Sequence, residues 1–584
     1  MRVQKFLTAP ATTFSPRVIF WFSLNIIFTA VCGIQVLHKS FSGKYVLQDD
    51  AHVYLLWMQR LTDPVLLPHD LIADYYQSVT PSGYATLYRV MSAIGIHPIL
   101  FSKILPIVLG LVATGYCFGL CMQLLPVPTA SFLATLLLNQ SMWLQDDLIS
   151  ATPRAFIYPL FLACLYYLVR RSLLPYLVAT TLLGLFYPPF ILILAVVLIL
   201  RLWHWEGGLP RSLSRSDSLF CLSGLGIAFL VMLPYLLHSS EFGPTVTAAV
   251  ARTWPEYMAK GRVPFFTNNL WRYWFSGAHS GIRLSLNPPM LGAGLLLPLL
   301  LRYSSRFPLA KQVTSNVTLL LQILLASFGW FFAAHAVLFK LYLPSRYTQH
   351  SLRIVMSLAA GIALVILLDA IWQWAQDLRH QARQVLALIT TVLIGATIFL
   401  YPSLVWKSSF PRTSSYFVGA APSLYQFFQE QPKDIRIASL LEMANDIPIF
   451  SQRSILVSRK YADPYHIGYY RQIRQRATDL IRAQYTQDLA EVQNIIRKYQ
   501  IDFWLLDRNS FSPESITKNS WLQQYQPVTT EAVQNLQQGN VPVLSRLTKS
   551  CSVFEYSDWM VVKASCITTT SRQLVMPLPL IDKL

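Results

Sequence analysis

Residues 45–76 read YVLQDDAHVYLLWMQRLTDPVLLPHDLIADYY and hold Asp49, Asp50, Asp63, Asp70 and Asp74 in a chain otherwise short of acid. Of the 13 Asp and Glu among residues 1–401, these five and the pair Asp146 and Asp147 make seven. The stretch follows the first long apolar segment, Val18 to Leu37, so its side of a membrane decides how every later segment is read. If both acidic loops lie on one face, that face carries an acidic pocket.

The chain has 584 residues, 54% hydrophobic and 13% charged, far too apolar for a soluble protein of this size. It reads as an α-helical polytopic membrane protein. The formal charge of +19 is uneven: residues 1–401 carry 27 Lys and Arg against 13 acids, and residues 402–584 carry 20 against 15. A basic membrane part points to positive cytoplasmic loops and anionic membrane lipids. No basic soluble domain interleaved with aromatics argues for nucleic acid. Cys32, Cys117, Cys121, Cys164 and Cys221 fall in apolar segments and read as core packing. Cys551 and Cys566 lie in the polar C-terminal region and are disulfide candidates if that region is outside the cytoplasm.

Arg2, Lys5 and Arg17 flank the first apolar run, which is long enough to span and has no clear cleavage site after it. It is read as an uncleaved anchor with a cytoplasmic N-terminus. Apolar segments at 98–121, 127–144, 154–169, 173–187, 189–202, 218–238, 289–302, 316–342, 350–375 and 384–401 raise the count to about 11 transmembrane helices. Charge agrees with that count. Arg170 and Arg171, then Arg201, Arg211 and Arg215, then Arg302, Arg306 and Lys311, then Arg379 and Arg383 fall in loops it puts inside. An odd number of spans leaves the C-terminus outside.

Residues 1–401 are therefore expected to form the membrane domain, with external loops at 39–96, 145–153 and 239–288. The last mixes Arg252, Lys260, Arg262 and Arg272 with Trp254, Phe265, Phe266, Trp271 and Trp274, a composition suited to the headgroup level. Residues 402–422 read as a linker and 423–584 as an extracytoplasmic α/β domain. In that domain IRIASLL, SILVS and IDFWLLD are strand-like, while IGYYRQIRQRATDLIRAQY and QDLAEVQNIIRKY are helix-like.

Asp49 and Asp50 are adjacent, and carboxylates this close tend to share a proton, a cation or a hydroxyl. An Asp at the membrane surface can take the proton of a sugar or protein hydroxyl; the plainer role is to cap the helix-like AHVYLLWM that follows. Asp146 and Asp147 could bind an acceptor, complete a site for a divalent cation such as Mg or Mn, or simply be solvated. Arg154, just after them, suits a carboxylate or a phosphate. Arg346, His350 and Arg353 share one helix face at the outer boundary, where two guanidinium groups near a helix start form a phosphate clamp unless they snorkel to headgroups. Lys103 adds a charge from the same side. No phosphate loop, GxSxG, HExxH or paired CxxC is present.

This layout resembles the GT-C superfamily of membrane glycosyltransferases, nearest in flavour to protein O-mannosyltransferases and lipid A aminoarabinose transferases. It rests on an inside N-terminus, one span, an external loop with an acidic doublet, a short acidic second loop, a series of short spans and an outer soluble domain. The resemblance implies an inverting enzyme that moves sugar from a polyprenyl phosphate donor to a glycan, lipid or protein acceptor. It assigns the general base to Asp49 or Asp50, the second-loop acid to Asp146 or Asp147, and donor phosphate recognition to Arg346 or Arg353. The doublet is Asp-Asp where many members have Asp-Glu, and the WWDxG signature of oligosaccharyltransferase subunits is missing, which speaks against N-glycosylation. A bacterial inner membrane is the expected location. Two rivals are a transporter or flippase of lipid-linked sugars and a non-catalytic scaffold. The first predicts internal repeats and acids at mid-membrane; the second predicts Asp50 and Asp147 far apart.

Overall fold

The computed structural model describes the chain apart from residues 1, 13–14, 203, 207–208, 212–213, 238, 377–380, 407–409 and 571–584. Arg379 and the end of the 423–584 segment thus lie outside the described residues. Each of the eleven apolar stretches contains helix among the described residues, the one at 316–342 ending its helix at Ala336. Among the described residues, six helices are long and apolar enough to cross a membrane: Pro16–Ser40, Pro98–Leu124, Arg215–Leu237, Ser315–Ala336, Ser345–Trp374 and Gln381–Leu404. The other apolar helices, among them Leu173–Phe186 and Pro189–Leu202, are shorter. The protein is a polytopic, mostly helical membrane protein.

Two compact units divide the chain. The first comprises Met1–Ala51, Pro81–His238 and Asn269–Phe417. Its helices start where the sequence supplies a proline at the first turn, as at Pro16, Pro98 and Pro128, where the missing N–H is no loss. Ser15 caps one of them by accepting from Val18 N, and His97 Nδ1 caps another by accepting from Ile99 N. The Ser345–Trp374 helix is central and packs against the helices at Pro128–Trp143, Pro289–Leu296 and Thr318–Ala336. Its approach to the first of these depends on Gly361, because a Cβ there would stand 2.4 Å from Ala134 N. Between other helices the contacts are polar: Thr29 Oγ1 lies 2.8 Å from Thr114 Oγ1, and Asn139 Nδ2 donates to Thr114 Oγ1 at 3.0 Å. Apolar lipid supplies no hydrophobic drive between helices, so close approach and such bonds hold them together.

The second unit comprises His52–Thr80, Ser239–Asn268 and Val418–Leu584. Its five-stranded sheet runs, in spatial order, Ser454–Ile455, Arg436–Ala438, Phe503–Asp507, Trp559–Lys563 and Ser552–Tyr556. The first three strands are parallel, with Ile437 opposite Phe503, and the last two join antiparallel, with Trp504 opposite Val562. Helices Ile467–Tyr485 and Leu489–Tyr499 stand at the two helix-like stretches of the sequence. Cys551 and Cys566 are bonded, with Cα atoms 5.6 Å apart.

Residues 52–80 and 239–268, read from sequence as parts of external loops of the membrane domain, group with this unit. Aromatic contacts and backbone pairing account for it. Tyr75 stacks on Tyr469 at 3.6 Å between ring centroids, Tyr257 Oη donates to Pro464 O at 2.9 Å, and Val246 N donates to Tyr465 O at 2.9 Å.

Candidate active site

The chemistry-bearing residues of the first unit come from three places in the chain. Asp49 and Asp50 open a single 3-10 turn, Asp49–Ala51, after the short strand Val46–Gln48. Asp146 and Asp147 begin the four-residue helix Asp146–Ile149, and Arg154 sits in the 3-10 turn Pro153–Phe156. Between them Ala151 has φ of 53°, a left-handed conformation that costs a non-glycine residue on the order of 1–2 kcal/mol. It is held there by Tyr84 Oη, which donates to the Ala151 carbonyl at 3.0 Å. The bend turns Arg154 back toward Asp147.

Asp147 is the centre of the arrangement, with a side chain 1% exposed. Its Oδ1 lies 3.4 Å from Arg154 Nη1, and its Oδ2 accepts from Arg353 Nη1 at 3.2 Å and Gln349 Nε2 at 3.3 Å, with His350 Nδ1 3.6 Å away. Burial alone would push this carboxyl up. The imidazole of His350 and the guanidinium groups of Arg154, Arg353 and Arg346 outweigh it and hold Asp147 well below the usual carboxylate range. These cations favour the charged form of Asp147. Arg353 also donates to Tyr158 Oη, which lies 3.1 Å from His350 Nδ1.

Arg154 reaches further. Its Nη2 bonds Asp50 Oδ2, so one guanidinium joins the two acidic loops. Asp50 keeps 41% of its side-chain surface exposed. Asp49 is exposed beside it, and Asp146 is half-buried.

Gln349 carries the network toward two more cations. Its Oε1 accepts from Arg346 Nη1 at 3.4 Å and from Arg283 Nη1 at 3.3 Å. Neither arginine makes an ion pair among the described residues. Burial, and after it the neighbouring Arg346, lower the pKa of Arg283. Two guanidinium groups gathered at one neutral oxygen, neither in an ion pair among the described residues, form an environment that a phosphate's oxygens would complete.

The sequence-derived candidates thus separate. Asp50, Asp147, Arg154, Arg346, His350 and Arg353 share one network. Lys103 does not join it by any contact among the described residues: it is buried, with Nζ 5.1 Å from the centre of the Phe41 ring. His350 and Arg353 are committed to Asp147 and Tyr158, while Arg346 donates to Gln349. A divalent cation, Mg or Mn, does not fit at Asp147, because both carboxylate oxygens already face arginines. No three His, Cys, Asp or Glu groups converge to hold a metal ion among the described residues. A cavity of about 660 Å3 lies within the second unit, lined by Glu442, Arg459, Asn509 and Lys518 among others, and none of the network's residues line it.

Three members escaped the sequence reading. Tyr158 lies four residues after Arg154 and Gln349 three after Arg346, so helical spacing was a usable signal for both. Arg283 carried none, being a lone cation in an irregular stretch.

No protein-family model matches the chain, and no curated protein matches it in sequence. Solved structures do match in fold. The oligosaccharyltransferase of Archaeoglobus fulgidus, crystallised with a tethered acceptor peptide containing the NVT sequon, superposes with a TM-score of 0.54 at 12% identity, over 89% of this chain and 72% of that one. A variant of the mycobacterial arabinofuranosyltransferase AftD superposes at 0.53 and 12% identity, over 95% of this chain and 42% of that one. The chain shares the fold of these two proteins. ArnT from Cupriavidus metallidurans matches over 96% of this chain and 99% of its own at 11% identity, with a TM-score of 0.45. At such identities the likeness concerns the path of the chain alone.

Proposed function

We propose that this protein is a GT-C glycosyltransferase that moves a sugar from a polyprenyl phosphate donor to an acceptor outside the cytoplasm, with Asp49 or Asp50 as general base. The observation that carries the reading is the pair Arg283 and Arg346 at Gln349 Oε1, a cationic pair with no ion-pair partner among the described residues, linked through Asp147 and Arg154 to the half-exposed Asp50. A lipid-linked donor keeps its tail in the bilayer and presents phosphate and sugar at the boundary. The two guanidinium groups would fork onto the phosphate oxygens and neutralise the charge that grows as the sugar–phosphate bond breaks. Asp49 or Asp50 would take the proton of the acceptor hydroxyl as its oxygen attacks the anomeric carbon from the opposite face, inverting it. Arg154 would hold Asp50 in one orientation through this step.

Integral membrane placement follows from the helices. We place the second unit outside the cytoplasm and the N-terminus inside, in a bacterial inner membrane. The paired Cys551 and Cys566 support an oxidising compartment for the second unit, and the basic loops support the inside face. The acceptor is a glycan, lipid or protein that presents a hydroxyl. The test is incubation of purified protein with a panel of radiolabelled polyprenyl phosphate sugars, following release of polyprenyl phosphate. The double variant Asp49→Asn with Asp50→Asn should stay folded and abolish release; undiminished release from it removes the aspartates from the mechanism.

A further inference from the structure

The stretch from Asn269 to Leu286 forms a hairpin that joins three parts of the first unit. A single π-helical turn, Arg272–Ser276, is followed by a tight bend. Ile282 N donates to Trp274 O and Arg283 N to Phe275 O, both at 2.9 Å, so the returning strand is pinned to the outgoing turn. Gly281 makes the bend, since a Cβ there would stand 2.6 Å from Gly277 N and 2.8 Å from the Phe275 carbonyl. The bend clasps two membrane helices by their ends. Ser280 O lies 2.8 Å from His335 Nε2 at the close of Thr318–Ala336, and Ser345, the first residue of Ser345–Trp374, bonds Ala278 O through Oγ at 2.9 Å and His279 O through N at 3.2 Å.

Inside this frame Arg283 reaches Gln349, while the opposite side of the hairpin is apolar and uncovered. Leu270 is 74% exposed, Trp271 66% and Phe275 46%, and the Trp271 and Phe275 rings stack 4.4 Å apart. Leu284 and Leu286, flanking Arg283, are exposed as well. Water is a poor neighbour for such a group. The hairpin is fixed where one spanning helix stops and the next begins, which is the level of the lipid–water boundary, and Trp with an adjacent cation, here Arg272, is the composition that boundary favours.

We infer that the bilayer itself covers this apolar face, and that seating Leu270, Trp271 and Phe275 among the lipids holds Arg283 against Gln349. Arg283 is then an anion-binding residue whose position depends on the membrane, and the three apolar residues are positioning residues acting through it. The coupling rests on the reading of Arg283 and Arg346 as the phosphate site; the seating does not.

Two measurements test it in phosphatidylcholine nanodiscs. A nitroxide attached at Trp271→Cys should relax more strongly with oxygen than with a water-soluble nickel chelate, the five native unpaired cysteines being buried. A label that favours the chelate overturns the seating. Binding of farnesyl phosphate, a short polyprenyl phosphate, should weaken by about tenfold or more in Arg283→Gln, as for loss of one charged hydrogen-bonding group. The triple variant Leu270→Ser, Trp271→Ser, Phe275→Ser should weaken it comparably, and the combined variant should lose no more than either alone. Wild-type binding by the triple variant, or losses that add, overturn the coupling. If the unsubstituted protein binds no farnesyl phosphate, the phosphate reading and the coupling both fall, and the label still decides whether the hairpin is seated.

Discussion

Arg154 Nη1 stands 3.4 Å from Asp147 Oδ1 while its Nη2 bonds Asp50, so the buried acid of one loop and the half-exposed acid of another share a single cation. The wide separation of Asp50 and Asp147 that would favour a scaffold is not found. The two carboxylates differ in exposure: Asp147 is buried among cations, and Asp50 keeps 41% of its side-chain surface exposed.

Asp147→Asn should destabilise the protein by about 3–5 kcal/mol, because it strands buried guanidinium groups without a counter-charge. Thermal unfolding in nanodiscs measures it. The pH dependence has a definite sign. The folded-state pKa of Asp147 is depressed, so its contribution to stability is complete above the ordinary carboxyl value of about 4 and fades as pH falls below it. The unfolding midpoint should hold steady from neutral pH to about 5 and drop on the acid side, and Asp147→Asn should remove this share of the drop.

Arg346→Lys should fail to restore donor binding. A lysine keeps the charge but cannot both reach Gln349 Oε1 and fork onto two phosphate oxygens. We expect a rise in KM for the lipid-linked donor of about tenfold or more, with a smaller change in kcat. Equal KM for the unsubstituted enzyme and the Arg346→Lys variant would take the residue out of the phosphate site.

Gly361→Ala should cost about 1–3 kcal/mol by overpacking, since the added methyl meets the Ala134 backbone and side chain at 2.4–2.6 Å. The Ser345–Trp374 helix carries Arg346, His350 and Arg353, so donor affinity should fall with stability. Denaturation and binding on the same preparation would show whether the two move together.

Reducing Cys551–Cys566, or replacing both by Ser, should lower the stability of the second unit by about 3 kcal/mol, as expected for a bond closing about 15 residues. Limited proteolysis with and without reductant reports it. Cleavage unchanged by reduction would mean that the strands around it hold without the bond.

Much of this was legible in the sequence because it is local. Apolar runs long enough to span form helices wherever they lie in the fold, and a period of 3.6 residues by itself puts Arg346, His350 and Arg353 on one face. The same spacing could have added Gln349 and Tyr158. Whether residues 52–80 and 239–268 belong with the membrane helices or with the soluble unit was beyond such reading, since Tyr75 on Tyr469 is a contact between residues far apart in the chain.

The chain alone determined that this is a membrane protein with acids concentrated in two short loops and a cationic helix face, because composition and periodicity are properties of neighbouring residues. Only the tertiary structure decided which charges meet. It joined Asp50 to Asp147 through Arg154, moved Lys103 aside onto Phe41, and brought Arg283 out of an irregular hairpin to stand beside Arg346. Ion pairs between distant segments are set by helix packing and by the cost of burying a charge unpaired, and neither is written in any window of sequence.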